Sequence, residues 1–164
     1  MPLSKAIEIR FKDAGPTRDF FAMGQPGFFD LQRRYEGLDA RSDPLVAILE
    51  AVPFELFRRK LKTALVKGGL RRAEVDRKSA SGRKSWDEVL IFKVLVLQAL
   101  DNLSDDAMEY QLRDRLSFMR FAGPGLEDAV PDTKTLWLYR EALAKAGAVE
   151  GLFNLFDGYL KTSR

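Results

Sequence analysis

Four carboxylates lie close together in this sequence, at Asp101, Asp105, Asp106 and Glu109. On a helix, the spacing brings Asp105 beside Glu109, and paired carboxylates can hold a divalent metal ion. Acids in the first turn of a helix also cap it and complement its dipole. A catalytic metal site needs carboxylates from several rigid elements around a cleft. The pattern therefore favours helix capping and a solvated face over a metal site.

The chain lacks the residues on which many enzymes depend, because it contains no cysteine and no histidine. This excludes disulfides and thiolate metal sites, and it removes the commonest general base. We also find no phosphate-binding glycine loop and no nucleophile elbow. Any enzyme here would have to work with carboxylates, lysine, tyrosine or serine, and we expect no metal and no cofactor.

A second chemical signal is a basic run over residues 58–84. These 27 residues hold eleven basic and two acidic side chains, whereas the whole chain has a net charge of only +3. Such density is typical of proteins that bind a phosphate backbone, although a solubilising charged face gives the same pattern. The basic residues are Arg58, Arg59, Lys60, Lys62, Lys67, Arg71, Arg72, Arg77, Lys78, Arg83 and Lys84.

The apolar residues recur at helical spacing, and no convincing set of paired strands is visible, so we predict an all-α fold. Four parts follow one another: an irregular N-terminal arm (1–26), N-terminal helices (27–67), a basic linker or loop (68–85) and a helical core (86–160). In the arm, IEIRF (7–11) suits a short strand or a loose segment equally. We predict helix N-termini at Asp43, at Ser104 and at Asp132 or Thr133.

The segment from Trp86 to Leu100 is apolar almost all round, which predicts a helix surrounded by other helices. Its apolar window of 12 residues is shorter than the roughly 20 that a membrane span needs, and we see no signal peptide. We therefore expect a cytoplasmic protein with no membrane partner.

The stretch LSDDAMEYQLRDRLSFMRF (103–121) breaks in its middle without glycine or proline. We interpret it as a scaffold helix and its continuation, with one apolar stripe formed by Met108, Leu112, Leu116 and Met119. Pairing within the helix, with Glu109 and its neighbours, is favoured over phosphate contact for the three arginines of this stretch, Arg113, Arg115 and Arg120.

The next helix, PDTKTLWLYREAL (131–143), is capped at its start and has a polar outer face. This suits the base-reading helix of a helix-turn-helix arrangement. The pattern alone favours an ordinary amphipathic bundle helix, and Trp137 is more often a packing anchor than a base-stacking residue. The residues off its core face are Thr133, Lys134, Thr135, Trp137 and Arg140.

Two stretches of this sequence, GFFDLQRR and WDEVLIFKVLVLQALDNLSDDAMEYQLRDRLSFMRFAGPGLEDAVPDTKTLWLYREAL, resemble the N-terminal region of bacterial transposases of the insertion-sequence-five group. The resemblance covers about residues 27–160. It implies a role in DNA transposition. Those transposases cut DNA with an Asp-Asp-Glu triad on a later ribonuclease-H-like domain. No residue here matches that triad, so the resemblance implies a truncated or free-standing N-terminal domain that is not an enzyme.

These observations together predict a module that binds the transposon ends in double-stranded DNA without cleaving them. The predicted DNA contacts are Arg71, Arg72, Arg77, Lys78, Arg83, Lys84, Lys134, Thr135 and Arg140.

The alternative is a dimerisation or inhibitory module that pairs with itself or with full-length transposase and does not touch DNA. Solvent exposure of many of six phenylalanines would favour it. They are Phe28, Phe29, Phe54, Phe57, Phe153 and Phe156.

Overall fold

A computed structural model describes residues 30–39, 41–71, 86–123 and 129–163. The chain divides into two units, Met1–Gly37 and Leu38–Arg164. The described part of the first unit, residues 30–37, belongs to the first helix. The possible strand at residues 7–11 lies outside the described residues. The division of the chain into arm, N-terminal helices, basic linker and helical core stays a prediction.

Regular structure in the described ranges is entirely helical, which confirms the all-α prediction. The elements, in chain order, are α1 (Asp30–Asp39), α2 (Pro44–Ala51), a 3-10 helix (Phe54–Phe57), α3 (Arg58–Lys67), α4 (Glu88–Leu100), α5 (Asp105–Asp114), α6 (Leu116–Ala122), α7 (Thr133–Lys145) and α8 (Val149–Thr162). None of the described helices combines the length and the apolarity that crossing a bilayer requires.

Side-chain caps fix the start of four of these helices, three of them as predicted and the fourth, α4, at Asp87. The Asp43 carboxylate accepts a hydrogen bond from the backbone N–H of Leu45 at 3.0 Å, and Ser104 Oγ accepts one from Ala107 at 3.2 Å. At α7 the cap is Asp132, whose carboxylate accepts from the backbone N–H of Thr135 at 2.7 Å. Each cap satisfies an N–H group that the helix leaves without a partner.

Helix α4 forms the centre of the second unit. Its residues from Val89 to Gln98 are all buried except Lys93, which is half-buried. The 3-10 helix, α3, α5, α6 and α7 pack around it. This confirms the arrangement that its all-round apolar character predicts.

An aromatic cluster joins the helices before and after residues 72–85 into one core. The Phe57 ring stacks on Phe92 of α4 with centroids 5.0 Å apart. The Phe54 ring meets Phe121 of α6 edge-on at 5.6 Å and lies 6.1 Å from Phe156 of α8. Such ring pairs add to the stabilisation that burial provides.

The break between α5 and α6 falls at Arg115, which adopts an extended conformation with φ −95° and ψ 111°. Any residue type can adopt these angles, so the break needs neither glycine nor proline. Arg115 donates to Asp101 at 2.8 Å, and its guanidinium lies 4.6 Å from the centre of the Phe118 ring.

The break also ends the apolar stripe predicted for this stretch. Met108 and Leu112 are buried, but the fully buried residues beyond Arg115 are Phe118, Phe121 and Ala122. Leu116 and Met119, which were predicted to continue the stripe, are only half-buried. That part of the prediction is wrong because the extended residue resets the helical phase.

Candidate nucleic-acid interface

The described basic residues of α3 lie on two faces of that helix, and Arg71 follows it in the chain. One face points to Glu88, a carboxylate that is only 4% exposed at the start of α4. Glu88 Oε2 lies 2.7 Å from Arg71 Nη1, and Oε1 lies 3.5 Å from Arg58 Nη1 and 3.7 Å from Lys62 Nζ. Arg58 also donates to Asp87 at 2.6 Å and to Glu55 at 2.8 Å. These cations are therefore engaged with acidic partners inside the protein.

Arg71 joins the two chain positions that flank residues 72–85. Its Nη2 donates to the backbone carbonyl of Trp86 and, at 3.0 Å, to the Tyr139 hydroxyl. That hydroxyl donates in turn to the Trp86 carbonyl at 3.1 Å. Burial alone would lower the pKa of Arg71, but the bonds with Tyr139 and Glu88 raise it overall.

Arg71 was predicted to contact DNA, and its surroundings argue for a different role. Its side chain is only 12% exposed, and DNA would have to displace Glu88 from its guanidinium. We therefore withdraw Arg71 as a DNA contact and assign it to holding the ends of this segment together. Arg72, Arg77, Lys78, Arg83 and Lys84 lie outside the described residues, so their contact with DNA stays a prediction.

The other face of α3 carries cations that were not selected from the sequence as DNA contacts. Arg59, Lys60 and Lys67 are exposed and form no ion pair with any described residue. A helical period applied to the basic residues, instead of the apolar ones, would have separated this face from the Glu88 face.

The acids of α5 bind the outer side of α7. Glu109 Oε2 accepts from the backbone N–H of Thr133 at 2.8 Å and from its hydroxyl at 2.9 Å, and Asp106 also accepts from that hydroxyl at 2.9 Å. Asp105 pairs with Arg140 through two bonds of 2.5 and 2.8 Å. The acids at the start of α5 thus join two helices, beyond the capping role that was predicted for them.

These contacts leave some of the α7 residues that were predicted to contact DNA exposed and engage others with acidic side chains. Arg140 is held by Asp105, whereas Lys134 is exposed and has no ion pair within the described part of the chain. Thr135 is half-buried beside the Asp132 cap. Trp137 is 48% exposed, so it is not the packing anchor that its residue type suggested.

The remaining carboxylates give no indication of a metal centre. Asp101 pairs with Arg115 at 2.8 Å, and Asp105 also accepts from Gln98 at 2.7 Å. Over the described ranges, no group of three acidic residues is placed to hold a metal ion.

Two further arginines of the stretch 103–121, Arg113 and Arg120, also form ion pairs. Arg113 lies 3.1 Å from Glu109 on its own helix, which confirms the predicted pairing. Arg120 reaches Asp39 at 2.7 Å and Asp43 at 2.8 Å, so its acidic partners lie far away in the sequence. The prediction of pairing within the helix is therefore wrong for Arg120.

The α5–α7 contacts predict an acid-sensitive fold. The bond from Arg140 lowers the pKa of Asp105, and the backbone bond from Thr133 lowers that of Glu109. A carboxylate whose pKa is lower in the folded state stabilises the fold above its unfolded pKa and loses this effect as the pH falls through the folded pKa. The ordinary values are 3.8 for Asp105 and 4.5 for Glu109.

Because the chain has no histidine, we expect a nearly constant free energy of unfolding from about pH 6 to 8 and a decline below about pH 4.5. Urea unfolding at a series of pH values measures this profile. Asp105→Asn with Glu109→Gln should flatten the acid limb. An equally steep limb in that variant would show that the α5–α7 contacts do not cause it.

Solvent exposure of six phenylalanines was expected if the chain is a dimerisation or inhibitory module. Most of those that the structure describes are buried. Phe54, Phe57 and Phe156 are at most 5% exposed, and Phe153 is half-buried. Phe28 and Phe29 lie outside the described residues. The four that are described form part of the core or pack against it, so their exposure gives no support to an interaction surface.

Comparison with known proteins identifies the family. The family described as "Transposase domain (DUF772)" matches residues 33–142, which is more than half of the 164 residues. No curated protein and no solved structure matches the chain. The matched range includes the Glu88 ion pairs, the break at Arg115 and most of α7. The chain therefore belongs to the DUF772 transposase domain family.

Proposed function

We propose that this chain is the non-catalytic DNA-binding domain of an insertion-sequence-five-type transposase, which positions double-stranded transposon ends. The observation that carries the proposal is the concentration of basic charge at residues 58–84 in a member of a transposase domain family. A backbone of phosphates is the partner that such charge suits best. Cleavage is assigned to an Asp-Asp-Glu domain that no residue of this chain matches.

The ion pairs of the described residues refine which side chains carry the contact. We assign phosphate binding to Arg72, Arg77, Lys78, Arg83 and Lys84, whose flanking positions the Arg71 bonds to Trp86 hold together. We assign base or groove contact to Lys134 and Thr135 at the start of α7, in a helix-turn-helix-like arrangement of α5 to α7. Arg140 positions α7 through Asp105 and is not proposed to touch DNA.

Fluorescence anisotropy with a labelled duplex of about 30 base pairs tests this proposal. With six or more phosphate contacts, the affinity should fall by at least about a thousandfold between 50 and 200 mM salt. Replacing Arg72, Arg77 and Lys78 with alanine should reduce the slope of log K against log salt by about three.

The outcomes separate the proposal from its alternative. Absence of duplex binding at 50 mM salt would overturn DNA binding. If light scattering also showed stable self-association, the dimerisation module would be favoured instead. If the triple variant keeps the wild-type slope of log K against log salt, residues 72–84 do not contact the DNA.

A further inference from the structure

Helix α3 carries two sets of basic residues that point in different directions. At 3.6 residues per turn, Arg58 and Lys62 lie on one side, and Arg59, Thr63 and Lys67 lie one above another on a different side. The first set faces Glu88. Lys60 lies next to the second set on the helix surface. The helix therefore presents a cationic face that no acid of the described residues neutralises.

This second face borders an open cleft of about 370 Å³ between α3 and the turn that joins α7 to α8. The cleft is lined by Arg59, Lys60, Thr63 and Lys67 from α3 and by Ala146 and Ala148 from the turn. Among the residues that the structure describes, no acidic side chain lines it. Three positive charges around one cleft repel one another, and an anion placed between them would relieve this repulsion.

Small residues shape the cleft and fix its walls. Ala64 and Ala146 are buried with only methyl side chains, which leaves room above them. At the end of α3, Gly68 lies against α7 so closely that a Cβ there would come within 2.0 Å of the Ala142 carbonyl oxygen. Close backbone contact at Gly68 thus holds α3, the helix that carries the cations, against α7, whose end leads into the turn on the other side of the cleft.

The dimensions of the cationic face suit a polymer of phosphates. Arg59 and Lys67 are eight residues apart, which is about 12 Å along a helix axis. The phosphates of one DNA strand follow one another at about 3.4 Å along the duplex axis, so this face spans several of them. An open, one-sided row of cations matches a continuous strand better than a small enclosed anion.

We propose that this cleft is a phosphate-backbone clamp for duplex DNA, with Arg59, Lys60 and Lys67 as its contacts. The clamp uses none of the residues 72–84, and it rests on the proposed DNA-binding function. Because a backbone clamp reads charge and not base edges, its removal should weaken binding to all duplex sequences alike.

The test compares two variants that each lose two positive charges. Lys60→Ala with Lys67→Ala removes the clamp. The control, Arg41→Ala with Lys161→Ala, removes exposed cations elsewhere. Lys161 lies about 18 Å along α8 from the turn that lines the cleft. All four side chains are exposed, and the Lys161 pair with Asp157 that the control loses is an exposed one, so both variants should unfold within a few degrees of the wild type.

We expect the clamp variant to reduce the slope of log K against log salt by about two. The control should change that slope by less than about 0.5. If the wild-type chain binds duplex DNA and the clamp variant keeps the wild-type slope, the clamp is overturned while the proposed function stands. If both variants lose slope equally, only net charge matters and the clamp is again overturned. If the wild-type chain does not bind, the proposed function itself fails.

Discussion

Glu88→Gln is expected to lower the free energy of unfolding by about 3 kcal/mol. The substitution keeps the size and shape of the side chain and removes only its charge. Arg71, whose side chain is 12% exposed, then keeps its charge in a largely desolvated position without a counter-charge. Leaving one partner of a buried ion pair uncompensated is among the most destabilising single changes in proteins.

Most of this loss is expected from Arg71 and little from the other two cations. The side chains of Arg58 and Lys62 are 33% and 42% exposed, so water screens their attraction to Glu88. Arg58 also keeps Glu55 and Asp87 as partners when Glu88 is neutral. The loss of unfolding free energy in Glu88→Gln therefore reports chiefly the ion pair between Glu88 and Arg71.

Urea unfolding of matched variants checks this result. Asp157→Asn removes one acid from the exposed pair with Lys161 and should cost less than about 1 kcal/mol. Arg71→Met in the Glu88→Gln background removes the orphaned charge and should recover part of the stability. A loss below about 1 kcal/mol for Glu88→Gln, or no recovery in the double variant, would contradict a buried ion pair at this position.

Local signals in the sequence were sufficient for most of the fold. The N-caps at Asp43, Ser104 and Asp132 could be predicted because a cap depends on residues two or three positions away. The central position of α4 could be predicted because an all-round apolar helix has no other stable environment. The break at Arg115 could be located only roughly, because an extended residue leaves no characteristic residue type behind.

The ion pairs between distant residues could not be predicted in the same way. Arg71 and Glu88 are 17 positions apart, and Arg140 and Asp105 are 35 apart. A count of basic residues treats Arg71 and Lys67 alike, although one is buried against an acid and the other is exposed at a cleft. The sequence therefore indicated the concentration of basic charge but not which of these basic residues pair with acids of the same chain.

Gly68→Ala is expected to destabilise the protein by about 2 to 3 kcal/mol, because the new methyl group meets a neighbouring helix. The Cβ would lie 2.0 Å from the carbonyl oxygen of Ala142, 2.6 Å from its carbonyl carbon and 2.8 Å from its Cα. All three are backbone atoms, so the clash can be relieved only if α3 moves away from α7. The backbone angles of Gly68, φ −77° and ψ 0°, are accessible to alanine, so the cost is steric and not conformational.

Gly158→Ala provides the matched control, because a Cβ at this position of α8 meets nothing within 4 Å. Alanine is a better helix former than glycine, so this variant should gain about 0.5 to 1 kcal/mol. Thermal and urea unfolding of both variants give the comparison. Opposite signs at the two positions would establish that contact between α3 and α7 requires glycine at position 68. A gain in both would mean that the two helices can separate at little cost, and that the cleft between them is less rigid than the proposed clamp requires.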